Sequence, residues 1–235
     1  IEFQHIIEAQ NLATSGWEYT SSSSKITLQF WFRCSTNQTF YCSLQTSDGT
    51  AQAYVFPFTA SGNNTWTKIT HTIPGNSNIT INNDSGAGLL LRIIPYFGTT
   101  YSGTNVTNNS WVAFNTDYVP DMATTWLTAG ASTFDFTGVQ LEVGSVATDF
   151  EHRSLAQELA LCKRYFHNFS GYTYAVDHGV NSFSIFPFHT EMRANPTVAG
   201  TFLNGAGNYS SAMRGMYYHN GNSSNAQNVT FDAEL

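Results

Sequence analysis

The sequence predicts an all-β protein: a jelly-roll β-sandwich, then a short connecting helix, then a small C-terminal β-sandwich or meander. Three observations lead there. Thr, Tyr, Phe, Val and Ile are abundant, and these residues pack best on a pleated surface. Hydrophobicity alternates with period two along several stretches. Gly, Asn and Asp punctuate those stretches at short intervals, as turns between strands require.

The chain opens with a strand-like stretch from Glu2 to Ile7. With no initiator Met and no signal-peptide pattern ahead of it, upstream residues of the same domain are expected. Along 25–34, Ile26, Leu28, Phe30, Phe32 and Cys34 share one face and Thr27, Gln29, Trp31 and Arg33 the other. Thr36, Asn37 and Gln38 read as a turn into a neighbouring strand, where Phe40, Cys42 and Leu44 resume the inward phase. Asp48–Gly49 reads as a hairpin turn, because both residues tolerate positive φ, and a strand from 51 to 58 follows. Further strands are expected near 66–73, 88–96, 110–115 and 133–143. Seven or more short strands of this kind read as a sandwich, and the jelly roll is the preferred topology.

After Phe150 the period changes. Ser154 and Gln157 fit a capping box. Leu155, Leu159, Cys162 and Phe166 then step by helical intervals, giving an apolar seam on a helix over 154–167. That seam either lies against the sandwich or packs around a symmetry axis. Strands return near 171–176, 182–188, 197–203, 210–218 and 227–233, with turns at Asn204–Gly205, Asn220–Gly221 and Asp177–His178–Gly179. The expected organisation is 1–150, 151–168 and 169–235. A C-terminal segment this short is marginal alone. Its aromatics (Phe183, Phe186, Phe188, Tyr209, Tyr217, Tyr218) are easier to bury between subunits, so oligomerisation is expected.

Composition excludes several functions. The 235 residues carry nine Lys plus Arg against sixteen Asp plus Glu, a net charge of −7, and no cation stands between Arg92 and Arg153. No basic stripe exists to neutralise phosphates, so a nucleic-acid surface is disfavoured. No apolar run reaches the ~20 residues of a membrane helix. Disorder does not fit a chain that is 15% aromatic.

Catalytic patterns fare poorly as well. The seven histidines (5, 71, 152, 167, 178, 189 and 219) form no HxH, HxxxH or HExxH spacing, so no metal site is expected. There is no GxSxG elbow. Asn204–Gly205–Ala206–Gly207 lacks the Lys and Ser/Thr of a phosphate loop and reads as a turn. Asp117 with Asp121, and Asp135 with Glu142, are the nearest paired carboxylates, and solvated loop groups are the better reading. Calcium on Asp84 or Asp135 is a weaker option. Cys34, Cys42 and Cys162 form no metal or CxxC motif and read as small apolar residues. Sequons at Asn37 and Asn78 are expected by chance in so Asn- and Thr-rich a chain. No cofactor is implied.

Sugar binding suits the composition better. Thr, Ser, Asn and Gln make up 82 of the 235 residues, and sugars need aromatic faces for their C–H groups and planar amides or Arg for their hydroxyls. Three clusters are candidates. Gln29, Trp31 and Arg33 point away from the predicted core, with Tyr41, Ser43 and Gln45 expected on the same face of the next strand. Tyr96, Tyr101 and Trp111 lie in or beside the 98–110 loop. Tyr217, Tyr218 and His219 adjoin the Asn220–Gly221 turn.

Thr137-Gly138-Val139-Gln140-Leu141-Glu142-Val143-Gly144-Ser145-Val146-Ala147-Thr148, followed by Phe150-Glu151-His152-Arg153-Ser154, resembles the end of a jelly-roll domain in bacteriophage tail and virion structural proteins. Glu158-Leu159-Ala160-Leu161-Cys162-Lys163-Arg164-Tyr165-Phe166 is similar to the helix that follows it there. Phe186-Pro187, Glu191-Met192-Arg193-Ala194-Asn195-Pro196-Thr197-Val198 and the closing Asp232-Ala233-Glu234-Leu235 resemble their small C-terminal β-domain. Ile7-Glu8-Ala9-Gln10-Asn11 and Ile26-Thr27-Leu28-Gln29-Phe30-Trp31-Phe32 match more loosely.

The resemblance implies a carbohydrate-binding-module-like jelly roll in a tail fibre or receptor-binding protein of the virion. Such a protein is usually trimeric, so a homotrimer is expected, non-enzymatic and contacting other phage tail or virion proteins and a bacterial surface polysaccharide or lipopolysaccharide. Related modules place an acidic calcium ligand on the last strand; here no carboxylate stands between Asp135 and Glu142. The alternatives are a head fibre, capsid decoration or baseplate component, a carbohydrate-binding module of an enzyme, and a glycan depolymerase.

Overall fold

The computed structural model describes residues 1–176, 183–203, 208–219 and 224–234, and divides the chain into Ile1–Glu151 and His152–Leu235. The turns expected at Asp177–His178–Gly179, Asn204–Gly205 and Asn220–Gly221 lie outside the described residues.

The first unit is an antiparallel two-sheet sandwich. Its elements are β1 (Phe3–Glu8), α1 (Ala9–Ala13), β2 (Lys25–Cys34), β3 (Asn37–Thr46), β4 (Gln52–Ser61), β5 (Thr67–Pro74), β6 (Ala87–Ile94), β7 (Trp111–Ala113), α2 (Thr125–Thr128) and β8 (Phe134–Val143). One sheet has the order β1-β6-β3-β4-β7 and the other β5-β2-β8. Consecutive strands pass repeatedly from one sheet to the other, so the two apolar faces close on each other as in a jelly roll. Gly49, at φ +60°, turns β3 back along β4 within the larger sheet.

The alternation in β2 is realised: Ile26, Leu28, Phe30, Phe32 and Cys34 are all buried. They meet Phe40, Cys42 and Leu44 of β3, but across the sandwich and not beside them. The expected β2–β3 hairpin does not form, because β2 bonds only to β5 and β8. Ser35 and Thr36 carry the chain between sheets, and the two inward faces bury each other. Edge-on aromatic pairs fill the gap, with Phe32 against Phe40 at 5.6 Å and against Phe58 at 5.0 Å between ring centroids. Cys34 and Cys42 are buried free thiols.

His71 faces inward from β5, opposite Leu28, stacked 3.9 Å from the Phe56 ring and 3.2 Å from the Tyr54 hydroxyl. Burial pulls its pKa below the ordinary histidine value. The folded state therefore binds fewer protons than the unfolded one at mildly acid pH. Stability is full above pH ~6.5, declines as pH falls through that value, and levels off below the folded-state pKa. His71→Gln should flatten part of this acid-side slope in denaturant titrations; an unchanged slope would remove His71 as its source.

The second unit begins with α3 (Leu155–Lys163), and the Ser154–Gln157 capping box is present in both directions. The helix ends three residues before Phe166, which opens β9 (Phe166–Val176) and so does not extend the helical seam. Then come β10 (Phe183–Pro187), β11 (Thr197–Leu203), β12 (Asn208–Ala212), β13 (Gly215–His219) and β14 (Ser224–Asp232), in two three-stranded sheets, β11-β14-β9 and β10-β13-β12. The single strand expected over 210–218 is two strands joined at Met213–Arg214. Met192, Val229, Phe231 and Ala233 form a small core with Phe169 and Phe188 around it. Arg193 donates from Nη1 to the Ala233 carbonyl at 2.7 Å and ties the closing residues to that core.

Candidate functional site

The outward face of β5-β2-β8 is an ordered grid of polar and aromatic side chains. Register sets its rows across the three strands: Thr72, Thr27 and Glu142; Thr70, Gln29 and Gln140; Lys68, Trp31 and Thr137. Arg33 pairs with Asp135 in the last row, where the guanidinium also lies 4.9 Å over the ring of Trp66, just before β5. Gly138, at φ +62°, sits in the bulge between the second and third rows of β8.

Part of this grid is covered, with Thr27 and Gln29 buried and Thr70 on β5 still exposed. Residues 144–151 run back over the first two rows as a strap. Thr27 Oγ1 donates to the Gly144 carbonyl at 2.8 Å, and Gln29 Nε2 to the Thr148 carbonyl at 2.7 Å. Glu142 accepts from the Thr148 backbone N–H at 2.8 Å and hydroxyl at 2.7 Å, and the latter bond leads in holding its carboxyl below the ordinary range. Gln29 is therefore a buried strap ligand, not an exposed flank of a sugar site.

The remaining rows are open. Trp31 is 44% exposed and Trp66 40%. Arg33 Nε stands 2.9 Å from Asp135, an ion pair exposed enough that its own contribution to stability is about 0–1 kcal/mol. Its effect is geometric: the carboxylate and the Trp66 ring fix a planar donor beside two indoles. Flat apolar faces with fixed donors and acceptors between them can stack sugar rings and bond their hydroxyls.

The other predicted positions divide. Tyr41 is on the opposite sheet, and so are Ser43 and Gln45; the continuous Trp31–Tyr41 platform does not exist. Period two assigns a face within a strand but not the sheet it joins. Tyr41 packs beside Val55, Ile94 and Val119, a second small core under the loop following β6, and burial raises its phenol pKa. Trp111 is also unavailable. It is buried across the sandwich edge, and its indole N–H donates to the Pro74 carbonyl at 2.7 Å. Tyr96 is half-buried, and its carbonyl accepts from the N-terminal ammonium. Tyr101 is exposed, edge-on to Phe114's neighbour Tyr118 at 5.8 Å. Tyr217, Tyr218 and His219 are in β13, and their side chains lie outside the described residues.

The carboxylate pairs are occupied structurally. Asp117 holds the Asn105 amide at 2.9 Å, and Asp121 accepts from Ser102. Among the described residues, no three His, Cys, Asp or Glu side chains gather as a metal site would require, and no helix is long and apolar enough to cross a membrane.

Trp66 was not singled out by sequence reasoning, although a signal for it exists. Counting back by twos along Thr72, Thr70 and Lys68 puts Trp66 on the outward face. On α3, Leu155 (82% exposed), Leu159 and Cys162 are all exposed, and no helix residue is buried.

The first unit is thus an all-β sandwich that presents one aromatic, hydrogen-bonding sheet face. Comparison of the chain with family models, curated proteins and solved structures finds no match.

Proposed function

We propose that this chain is part of a bacteriophage tail fibre or receptor-binding protein that attaches the virion to a bacterial surface glycan, without catalysis. The observation that carries this reading is the open face of β5-β2-β8, where exposed Trp31 and Trp66 flank an Arg33 fixed by Asp135. A rigid sheet holds these groups in place, so little ordering entropy is lost on binding. The low charge and the Thr- and Asn-rich surface suit neutral hydroxylated partners. The test is an array of bacterial lipopolysaccharides and capsular polysaccharides probed with the intact chain. Selective retention on one glycan class, and competition with phage adsorption to cells bearing it, is the expected result. Absence of retention across the array would sink the proposal.

The assembly proposed with this function is a homotrimer. Leu155, Leu159 and Cys162 recur at heptad-like spacing on an exposed helix face, an arrangement that three copies can bury around an axis. Repetition of weak sites then gains avidity on a repetitive surface. Light scattering should give a trimer for the chain with any upstream strands restored, and Leu155→Glu with Leu159→Glu should give a monomer. A monomer in both cases removes the trimer.

The structural alternative, a virion protein that only packs against neighbours, draws on the exposed Val146 and Leu155. A chain that binds purified virion proteins but no array glycan would favour it.

A further inference from the structure

A third aromatic extends the open face. Gly138 lies between Trp31 and Phe150: a Cβ built on it would sit 3.6 Å from Trp31 Cδ1 and 3.8 Å from Phe150 Cδ2. The two ring edges are therefore no farther apart than those distances combined, and nothing from Gly138 stands between them. Phe150 is 41% exposed, much as Trp31 and Trp66 are. Trp66, the residue just before β5, continues that strand's outward phase two residues before Lys68, the partner of Trp31, and its ring lies against Arg33. Trp66, Trp31 and Phe150 thus descend across β5, β2 and the β8 side as one oblique line.

Polar groups border this line. Arg33, Asp135 and Thr137 lie on one side, and Lys68 on the other. Each of the three rings is a half-exposed surface. A single sugar covering one such ring gains too little contact to offset the loss of its translational and rotational freedom. A chain of linked sugars, one over each ring, sums the contacts for a single association cost.

We infer that Trp66, Trp31 and Phe150 are consecutive stacking positions of one track, and that the track takes an internal stretch of a linear polysaccharide, not a single sugar or a chain end. This rests on the glycan-binding reading above. Gly138 serves the track by leaving the step from Trp31 to Phe150 unobstructed. Trp31, the central ring, contributes to every bound length; the outer rings contribute only when the ligand is long enough to reach them.

The experiment uses the intact chain and size-graded fragments of the array polysaccharide it retains most strongly, from monosaccharide upward, in calorimetry. Affinity should rise at least tenfold with length and then level off. Phe150→Leu should bring the plateau to shorter fragments, and Trp66→Ala, which also removes the ring against Arg33, should do so with a loss that grows with fragment length. Trp31→Ala should weaken all lengths. Circular dichroism and melting of each variant identify any that misfold, and Trp66→Phe, which keeps a flat ring, should retain the long-fragment affinity.

Affinity independent of length, or equal losses at every length from the outer-ring variants, would overturn the track while leaving glycan binding intact. Retention of no array glycan would overturn the function reading, and the track with it.

Discussion

Trp31→Ala should abolish measurable retention on the glycan that the wild-type chain binds, a loss of about 2 kcal/mol or more, as for a central aromatic anchor. Trp31 stands mid-strand in β2, the middle of three strands, so its backbone is held from both sides. The register puts Lys68 and Thr137 on either flank, and neither supplies a flat apolar face to replace the indole. Because 44% of the residue is exposed, its loss should leave the sandwich folded, within about 0.5 kcal/mol of wild type. Binding by surface plasmon resonance and unfolding in guanidinium separate the two effects. A variant that binds as wild type would move the site elsewhere on the molecule.

The neighbouring residue should behave in the opposite way. Phe32→Ala should cost about 3–5 kcal/mol of stability, the range for truncating a buried aromatic. Phe32 is 1% exposed, and its ring meets Phe40, Phe58 and Phe134 at centroid distances of 5.6, 5.0 and 4.8 Å. Those partners come from β3, β4 and β8, so the void would open where both sheets meet. Against a typical total of about 5–15 kcal/mol, such a loss threatens the unit as a whole. Denaturant unfolding is the measurement. A change below about 1 kcal/mol would contradict the closed packing around this ring.

These adjacent positions also mark what the sequence makes legible. Alternation through Ile26–Cys34 separates Trp31 from Phe32 correctly, because opposite faces of one strand are a local property. Partnership between strands is not local. Tyr41 has the right phase to stand beside Trp31, yet Ser35–Thr36 switches sheets, and only the mutual burial of Phe32 and Phe40 decides that. Trp111 has no flag of burial in its Thr- and Asn-rich surroundings; the Pro74 carbonyl that binds it lies on β5, on the opposite sheet. Helix ends are similarly obscure. Phe166 continues the spacing of Leu159 and Cys162, and no Gly or Pro precedes it to announce the change to β9. Met213–Arg214 turns without the usual turn residues, which hid the β12–β13 hairpin. The Trp66–Arg33–Asp135 group was legible only in part, since it joins three strands distant in sequence.

The strap ties Thr27 to Gly144 across 117 residues. During synthesis, β2 leaves the ribosome early, with its future neighbour β8 still to be made. Such distant pairings are slow to form, because a long loop must close before any contact rewards it. The complete face, with Asp135 on Arg33 and the strap in place, therefore has no kinetic route to early display. It comes into being only when nearly the whole first unit has emerged, so a chain cut short before Phe134 lacks β8 and the strap and presents β2 with an unpaired side, open to aggregation.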